Sequence, residues 1–178
     1  LALGAARSAP ASAAPLGLDF NGGGASSCNP QVNPGCTAGW AFQVQGAIRV
    51  DSLGVFDWAS DGLAQSHAVG LFDAGGTLLA VTTVTNASTV VPSGAAIGRW
   101  LMESVSPVVL GPGTYTIGAF YLNQSVDYFV SSATGLVTMP GITHLGGRAI
   151  FSVTGLVFPP FGPFDGFEPG LMGPTFTA

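Results

Sequence analysis

The sequence has little charge, and this shortage is its most informative feature. The 178-residue chain has no lysine, four arginines and nine acidic residues, and charged residues make up 7% of it. A soluble domain usually carries about 25% charged residues. Hydrophobic residues reach 47%, and the formal net charge is −5. With so few charges, the surface must be covered either by neutral polar side chains or by neighbouring subunits. If neighbouring subunits cover it, the protein associates with itself, and we predict this second case.

The absences also exclude several classes of function. Without lysine the chain has no Schiff-base amine, and four arginines with a negative net charge exclude a nucleic-acid groove. Neither G-x-S-x-G nor HExxH occurs, and the two glutamates stand far apart without a motif. We therefore predict a protein that is not an enzyme and uses no cofactor. The charge-free stretches are broken by Gly, Pro, Asn or Ser, so no transmembrane helix is predicted.

Cysteine is also scarce, with Cys28 and Cys36 the only two. The segment between them contains two Asn-Pro turns, which favour a small closed loop. Metal binding is the alternative, but His67 and His144 lie far along the chain and no CxxC occurs. We predict a Cys28–Cys36 disulfide and hence an oxidising, extracellular location. The first fourteen residues, LALGAARSAPASAA, resemble the end of a secretory signal peptide.

What the sequence does contain is a series of short β-prone segments. Runs of Val, Ile, Thr, Phe and Tyr alternate with clusters of Gly, Pro, Asn and Asp, at a spacing of roughly ten residues. This pattern predicts an all-β fold, an immunoglobulin-like or jelly-roll-like β-sandwich with extended N- and C-terminal arms. The predicted strands cover residues 40–44, 47–56, 66–73, 78–85, 100–109, 113–122 and 149–157.

The two ends differ in composition from the middle of the chain. We predict an N-terminal arm at residues 1–20, a β-sandwich domain at 21–157 and a C-terminal arm at 158–178, rich in Phe, Pro and Gly. Ordering such arms costs about 1–2 kcal/mol of backbone entropy per residue, so an ordered arm implies contacts that offset this cost. The predicted contact residues in assembly are Leu1, Leu3, Leu16, Leu18, Phe20, Phe158, Phe161, Phe164, Phe167 and Phe176.

Two sets of side chains in the middle of the chain are candidate binding residues. Asp57, Asp61 and Asp73 are weak candidate ligands for Ca²⁺, and the alternative is that they cap turns. The three tryptophans, Trp40, Trp58 and Trp100, are candidates for stacking on sugar rings, and the alternative is that they pack the core.

A block of four motifs spans the middle of the chain: LGVFD at 53–57, SHAVGLFD at 66–73, GTLLA at 76–80, and SPVVLGPGTYTIGAF at 106–120. This block resembles a bacterial domain family of unknown function that is found in exosortase-sorted (PEP-CTERM) secreted proteins. The terminal Gly-Pro-Thr-Phe at 173–176 is similar to a conserved ending of that family. The resemblance covers about residues 39–178. It implies a secreted β-sandwich without demonstrated enzymatic activity, associated with the biofilm matrix.

These observations lead to two functional hypotheses. The first is a secreted bacterial structural subunit that assembles with itself into an extracellular filament or matrix. Strand addition would join the subunits, with a terminal arm of one pairing to an open sheet edge of the next. The alternative is a monomeric module that binds carbohydrate or matrix, with an extracellular polysaccharide as its partner.

Overall fold

The computed structural model describes residues 14–28, 34–122, 127–162 and 170–178. Within these ranges the chain forms strands and turns, and no helix occurs. In chain order the strands are β1 (Leu18–Asp19), β2 (Gly22–Ser26), β3 (Gly35–Val44), β4 (Ile48–Trp58), β5 (His67–Asp73), β6 (Leu78–Val84), β7 (Thr89–Pro92), β8 (Gly98–Leu110), β9 (Gly113–Leu122), β10 (Phe129–Thr134), β11 (Val137–Thr138), β12 (Ile142–Phe151), β13 (Leu171–Met172) and β14 (Pro174–Thr177).

Two antiparallel sheets form the body of the molecule. The five-stranded sheet has the order β12-β3-β9-β5-β6, and the four-stranded sheet has the order β14-β4-β8-β7. Two small sheets, β1-β11 and β13-β10-β2, flank them. The predicted all-β sandwich is therefore confirmed. None of the described residues belongs to a helix that is long and apolar enough to span a membrane.

The core between the two sheets is aromatic and aliphatic. Alternate residues of a strand point to the same face, and on β3 this brings Trp40 and Phe42 to the inner face. Both rings contact Phe176 of β14, at centroid distances of 6.0 and 5.1 Å. All three side chains are fully buried, as is Leu53, which pairs with Phe176 across the ladder. The last strand of the chain is therefore part of the core.

The described part of the N-terminal arm packs on its own domain. Phe20 is 1% exposed, and its ring lies 4.8 Å from Phe56 and 5.6 Å from Trp100. Trp100 Nε1 donates a hydrogen bond of 2.9 Å to Asp19 Oδ1. Val55 points inward, so the next residue, Phe56, points outward. The cluster of Phe20, Phe56 and Trp100 therefore lies on the outer face of the four-stranded sheet. The prediction places this arm on a neighbouring subunit, whereas its described part packs on its own domain. The physical reason is that the outer face of this sheet is apolar, and Phe20 buries it.

The N-terminal segment also closes an edge of the four-stranded sheet. Leu16 forms a bridge with Thr177, and Gly17 N donates to Phe176 O at 2.7 Å. The strand β14 is buried along its whole length and pairs with β4 on its other side. The described parts of both predicted arms, residues 16–20 and β14, therefore pack against the sandwich.

The outer face of the five-stranded sheet is covered by a strap, which we define as residues 153–161. Three glycines stand in register across neighbouring strands, with Gly118 opposite both Gly39 and Gly70. The missing side chains leave a shallow groove for the strap. A Cβ atom at Gly118 would lie 3.2 Å from Pro159, and one at Gly70 would lie 2.8 Å from Leu156. Larger residues at these positions would displace the strap.

The predicted contact residues of the C-terminal arm have different environments. Phe158 is half-buried, and its ring lies 5.7 Å from Phe72 of β5. Phe161 is 59% exposed and forms a two-way backbone bridge with Ala149 at the edge of β12. Four of the predicted residues, Leu1, Leu3, Phe164 and Phe167, lie outside the described residues.

The predicted disulfide is confirmed. Cys28 and Cys36 are bonded, with their Cα atoms 5.8 Å apart, and both are buried. Cys36 lies in β3, and Cys28 follows β2, so the bond joins the small sheet containing β2 to the five-stranded sheet. Such a link restricts the unfolded chain and stabilises the folded one.

Candidate functional site

The loop between β4 and β5, residues 59–66, is fixed in place by three side chains from other parts of the chain. Asp57 Oδ1 accepts from Gly62 N at 3.1 Å. Asn86 makes two hydrogen bonds with the backbone of Leu63, one at 2.6 and one at 2.7 Å. Asp127 accepts from the next two amides, Ala64 N at 2.8 Å and Gln65 N at 3.1 Å. These bonds satisfy loop amides that would otherwise lack partners.

The loop begins with an unusual backbone conformation. Ala59 and Ser60 have φ values of 65° and 58°, in the left-handed region that L residues other than Gly, Asn and Asp rarely adopt. Each such residue costs of order 1 kcal/mol or more. Ala59 N donates to Ile97 O at 2.7 Å, and Ser60 N donates to Asp57 O at 3.3 Å. The surrounding contacts therefore hold a turn that its own residues do not favour.

A buried histidine and aspartate lie behind this loop. His67 is fully buried, and its Nδ1 lies 2.9 Å from the carbonyl oxygen of Phe120. Its Nε2 lies 2.9 Å from Asp127 Oδ2. Burial alone would raise the pKa of Asp127, but hydrogen bonds from His67 and from the amides of Ala64 and Gln65 lower it below its usual value. The carbonyl oxygen of Phe120 and the carboxylate of Asp127 therefore hold the imidazole ring from both of its nitrogens.

The predicted metal residues do not come together. Asp57 is 1% exposed and pairs with Arg99 Nε at 2.8 Å. Asp73 Oδ1 accepts from Gly75 N and Thr77 N in the β5–β6 turn, and these backbone hydrogen bonds lower its pKa. Asp61 is exposed. The described residues contain no group of three His, Cys, Asp or Glu side chains that could hold a metal ion, and for Asp57 and Asp73 the hydrogen bonds are those of turn caps.

Two of the three tryptophans pack the core. Trp40 and Trp100 are fully buried, so neither ring is available to a sugar. Trp40 Nε1 donates to Pro174 O at 2.8 Å, which ties β3 to the start of β14. Trp58, at the end of β4, is half-buried, and its ring lies 6.3 Å from that of Phe56.

A cleft opens between the β4–β5 loop and the β6–β7 loop. Its volume is about 370 Å³, and none of the described residues that line it is charged. Gln65 is half-buried, and its Nε2 has no hydrogen-bond partner among the described residues. The hydroxyl of the exposed Ser66 is also available at the rim. The lining residues are Leu63, Ala64, Gln65, Ser66, Thr85, Asn86 and Ala87.

The chemistry of this cleft is neutral hydrogen bonding next to a small apolar surface. Thr85 and Asn86 face the loop from the end of β6, and Asn86 holds Leu63 with both polar atoms of its side chain, Oδ1 and Nδ2. This leaves Gln65 and Ser66 to contact a ligand. Sequence reasoning assigned neither residue to a site, because Gln65 belongs to no motif and Ser66 appears only as the first residue of the segment SHAVGLFD. Asp127 was missed for another reason, because its partner His67 lies far away along the chain.

Tyr121 lies beside this site but takes no part in its hydrogen bonds. Its ring is 4.7 Å from that of His67, and its hydroxyl is buried without a partner among the described residues. Burial, followed by the nearby charge of Asp127, raises the pKa of Tyr121 well above its usual range. The hydroxyl sits against Gly173, where a Cβ atom would collide with it.

We expect Tyr121→Phe to leave the free energy of unfolding unchanged or to raise it by up to about 1 kcal/mol, because it removes an unsatisfied buried hydroxyl. Urea unfolding measures this change. Tyr115→Phe is the matched control, because Tyr115 Oη donates to Gly111 O at 3.1 Å. Its loss is expected to cost about 1 kcal/mol. A clear loss of stability in Tyr121→Phe would mean that the hydroxyl has a partner.

Comparison with known proteins gives little further identification. No protein-family model matches the chain, and no curated protein matches it. Among solved structures, a match is a CBM35 carbohydrate-binding module in complex with a disaccharide that contains glucuronic acid. It is 18% identical, and the match covers 75% of this chain and 94% of that one, with a TM-score of 0.39. A likeness this distant assigns neither a ligand nor an activity to this chain.

Proposed function

We propose that this chain is a secreted, non-catalytic module that binds a neutral polysaccharide in the cleft between the β4–β5 and β6–β7 loops. The observation that carries the proposal is an uncharged cleft lined by Gln65, whose Nε2 is buried and has no hydrogen-bond partner among the described residues. A buried amide without a partner costs free energy, and a rotation of this side chain that lets it donate to a ligand hydroxyl in the cleft would remove that cost. Sugar hydroxyls both donate and accept, which suits neutral amide and hydroxyl side chains.

The rigidity of the loop supports the same function. Side chains of Asp57, Asn86 and Asp127 hold the backbone from Gly62 to Gln65, so the cleft is formed before a ligand arrives and binding requires little ordering. The described residues that line the cleft include no aromatic ring, so we expect a ligand to be held by hydrogen bonds rather than by stacking. We therefore expect weak binding to a single site and a preference for polymers.

The location belongs to the proposal as well. The Cys28–Cys36 bond supports an oxidising compartment outside the cytoplasm. The resemblance to domains of exosortase-sorted proteins favours the extracellular matrix of a bacterium, and this remains a prediction. The first hypothesis, assembly through a donated N-terminal arm, has less support, because Leu18 and Phe20 are buried in their own domain.

Affinity electrophoresis tests the proposed cleft. The protein is run through native gels that contain a soluble neutral polymer: a mixed-linkage β-glucan, a xylan or a galactomannan. We expect at least one polymer to retard the native protein and Gln65→Ala to lose most of that retardation. Gln45→Ala is the matched control. Gln45 is exposed at the opposite end of β4, where it contacts Thr143, so this variant is expected to migrate like the native protein.

Two results would contradict the proposal. One is the absence of retardation with every neutral polymer tested, and the other is equal retardation of Gln65→Ala and the native protein. Thermal melting of both variants checks that they are folded, and a folded Gln65→Ala variant is expected because the side chain makes no hydrogen bond that holds the loop.

A further inference from the structure

The backbone amides on the β4–β5 side of the cleft already have acceptors within the chain. Leu63 N donates to Asn86 Oδ1 at 2.6 Å. Ala64 N and Gln65 N donate to the two carboxylate oxygens of Asp127, at 2.8 and 3.1 Å. These three amides are therefore not available to a ligand that needs hydrogen-bond donors.

The β6–β7 side of the cleft is built in the same way. Thr85 N donates to Ser88 Oγ at 3.0 Å, and Ala87 N donates to Thr85 Oγ1 at 3.1 Å. Ser88 Oγ in turn donates to Glu103 Oε2 at 2.8 Å. With three amides on the first side and two on this one, five of the seven described lining residues use their amides within the chain. Each side of the cleft is thus fixed by a carboxylate, Asp127 on one and Glu103 on the other.

Two carboxylates near the cleft form no ion pair with the described residues. They are Asp61, which is exposed in the β4–β5 loop, and Glu103, which is half-buried on β8. Glu103 is connected to the cleft through Ser88. Asp61 precedes Gly62, where a Cβ atom would lie 3.0 Å from Asn86 Oδ1 in the wall of the cleft. The lining is uncharged, but negative charge lies directly behind it.

The cations of the described chain are matched by other groups. The sequence has no lysine. Arg99 Nε donates to Asp57 Oδ2 at 2.8 Å, and Arg49 pairs with Asp51. Arg148 Nη1 donates to a backbone carbonyl at 2.9 Å. Proteins usually bind carboxylates through arginine, lysine or free backbone amides, and the described walls of the cleft offer few of these groups.

From these observations we infer that the cleft excludes acidic polysaccharides and that Asp61 and Glu103 set this specificity. The inference rests on the proposed function, because it concerns the ligand of the same cleft. A uronic acid carboxylate in the cleft would lose water without gaining a cationic partner, and such a burial of charge is costly. Asp61 and Glu103 would add repulsion, since charges act over about 8 Å at physiological ionic strength. A neutral sugar hydroxyl has neither penalty.

Chromatography on immobilised polymer tests this specificity. A neutral polymer that retards the native protein is coupled to beads as two derivatives of equal substitution, one hydroxyethyl and one carboxymethyl. We expect the native protein to be retained by the hydroxyethyl derivative and to show little retention on the carboxymethyl derivative. Asp61→Asn and Glu103→Gln are each expected to raise retention on the carboxymethyl derivative, relative to the hydroxyethyl one, by roughly two- to fivefold, the effect of one charge about 8 Å away.

Asp51→Asn is the matched control, because it changes the net charge by the same amount. Asp51 precedes Asp57 by six residues on β4, about 20 Å of strand, and its side chain is 46% exposed. We expect this variant to behave like the native protein on both derivatives. Thermal melting confirms that all three variants are folded, and Glu103→Gln keeps an acceptor for Ser88 Oγ.

The possible failures of the inference and of the proposed function can be told apart. Equal retention of the native protein on the two derivatives overturns the inference and leaves the proposed function standing. An effect of Asp51→Asn as large as that of Asp61→Asn also overturns the inference, because net charge alone would then explain the result. If no neutral polymer retards the native protein, the proposed function fails and the inference fails with it.

Discussion

Asp127→Ala is expected to lower the free energy of unfolding by about 3 kcal/mol, because each buried donor left without its acceptor costs about 1–3 kcal/mol. The variant leaves the fully buried imidazole of His67 without its carboxylate. It also removes the acceptor for the amides of Ala64 and Gln65. Urea unfolding measures the change. Asp61→Ala is the matched control, because Asp61 is exposed, and its effect is expected to stay within about 0.5 kcal/mol.

The same pair predicts a dependence of stability on pH. In the folded protein the pKa of Asp127 lies below its ordinary value of 3.8. Its contribution is therefore complete above the pKa of the unfolded chain and is lost as the pH falls through the lower, folded value. We expect the native protein to lose stability below about pH 4 and Asp127→Ala to lose less over that range. If the native protein and Asp127→Ala lost the same free energy of unfolding over this pH range, the low pKa assigned to Asp127 would be contradicted.

Phe20→Ala is the other substitution with a large expected effect, a loss of about 3–5 kcal/mol, as for other buried phenylalanines. The side chain fills the space between Phe56 and Trp100 on the outer face of the four-stranded sheet, and its removal leaves a cavity there. The matched control is Phe161→Ala. Phe161 is 59% exposed, so the loss of its ring is expected to cost less than about 1 kcal/mol.

This comparison also tests the role of the N-terminal segment. If the segment were an arm that only served a neighbour, Phe20→Ala would leave the isolated domain as stable as Phe161→Ala does. Thermal melting of both variants at low concentration, where subunit contacts are weak, separates the two cases. We expect Phe20→Ala to melt at the lower temperature, because Leu18 and Phe20 belong to the core of a single chain.

The candidate site was only partly predictable from the sequence. Asp57 and Asp73 stand in turn-forming contexts, and the hydrogen bonds of both carboxylates are to turn amides or to Arg99. The interpretation that these acidic residues cap turns depends only on their spacing from nearby glycines, and this spacing can be read from the sequence. Gln65 shows no such signal, because its importance comes from a cleft wall supplied by Thr85 and Asn86 after β6. Only the pairing of β5 with β6 brings those residues together.

The sequence by itself determined the fold class, the disulfide and the scarcity of surface charge. These three features depend on residues that are close together in the sequence: the alternation of apolar and polar residues, the turn-forming clusters and the short Cys28–Cys36 spacing. They can therefore be read from the sequence without knowledge of the fold. The tertiary structure decided where the described parts of the two ends lie. Phe20, Phe158 and Phe176 look alike in the sequence as apolar residues of arms. Their places follow from long-range pairing and from the glycine groove of Gly39, Gly70 and Gly118, which exists only once three strands stand in register.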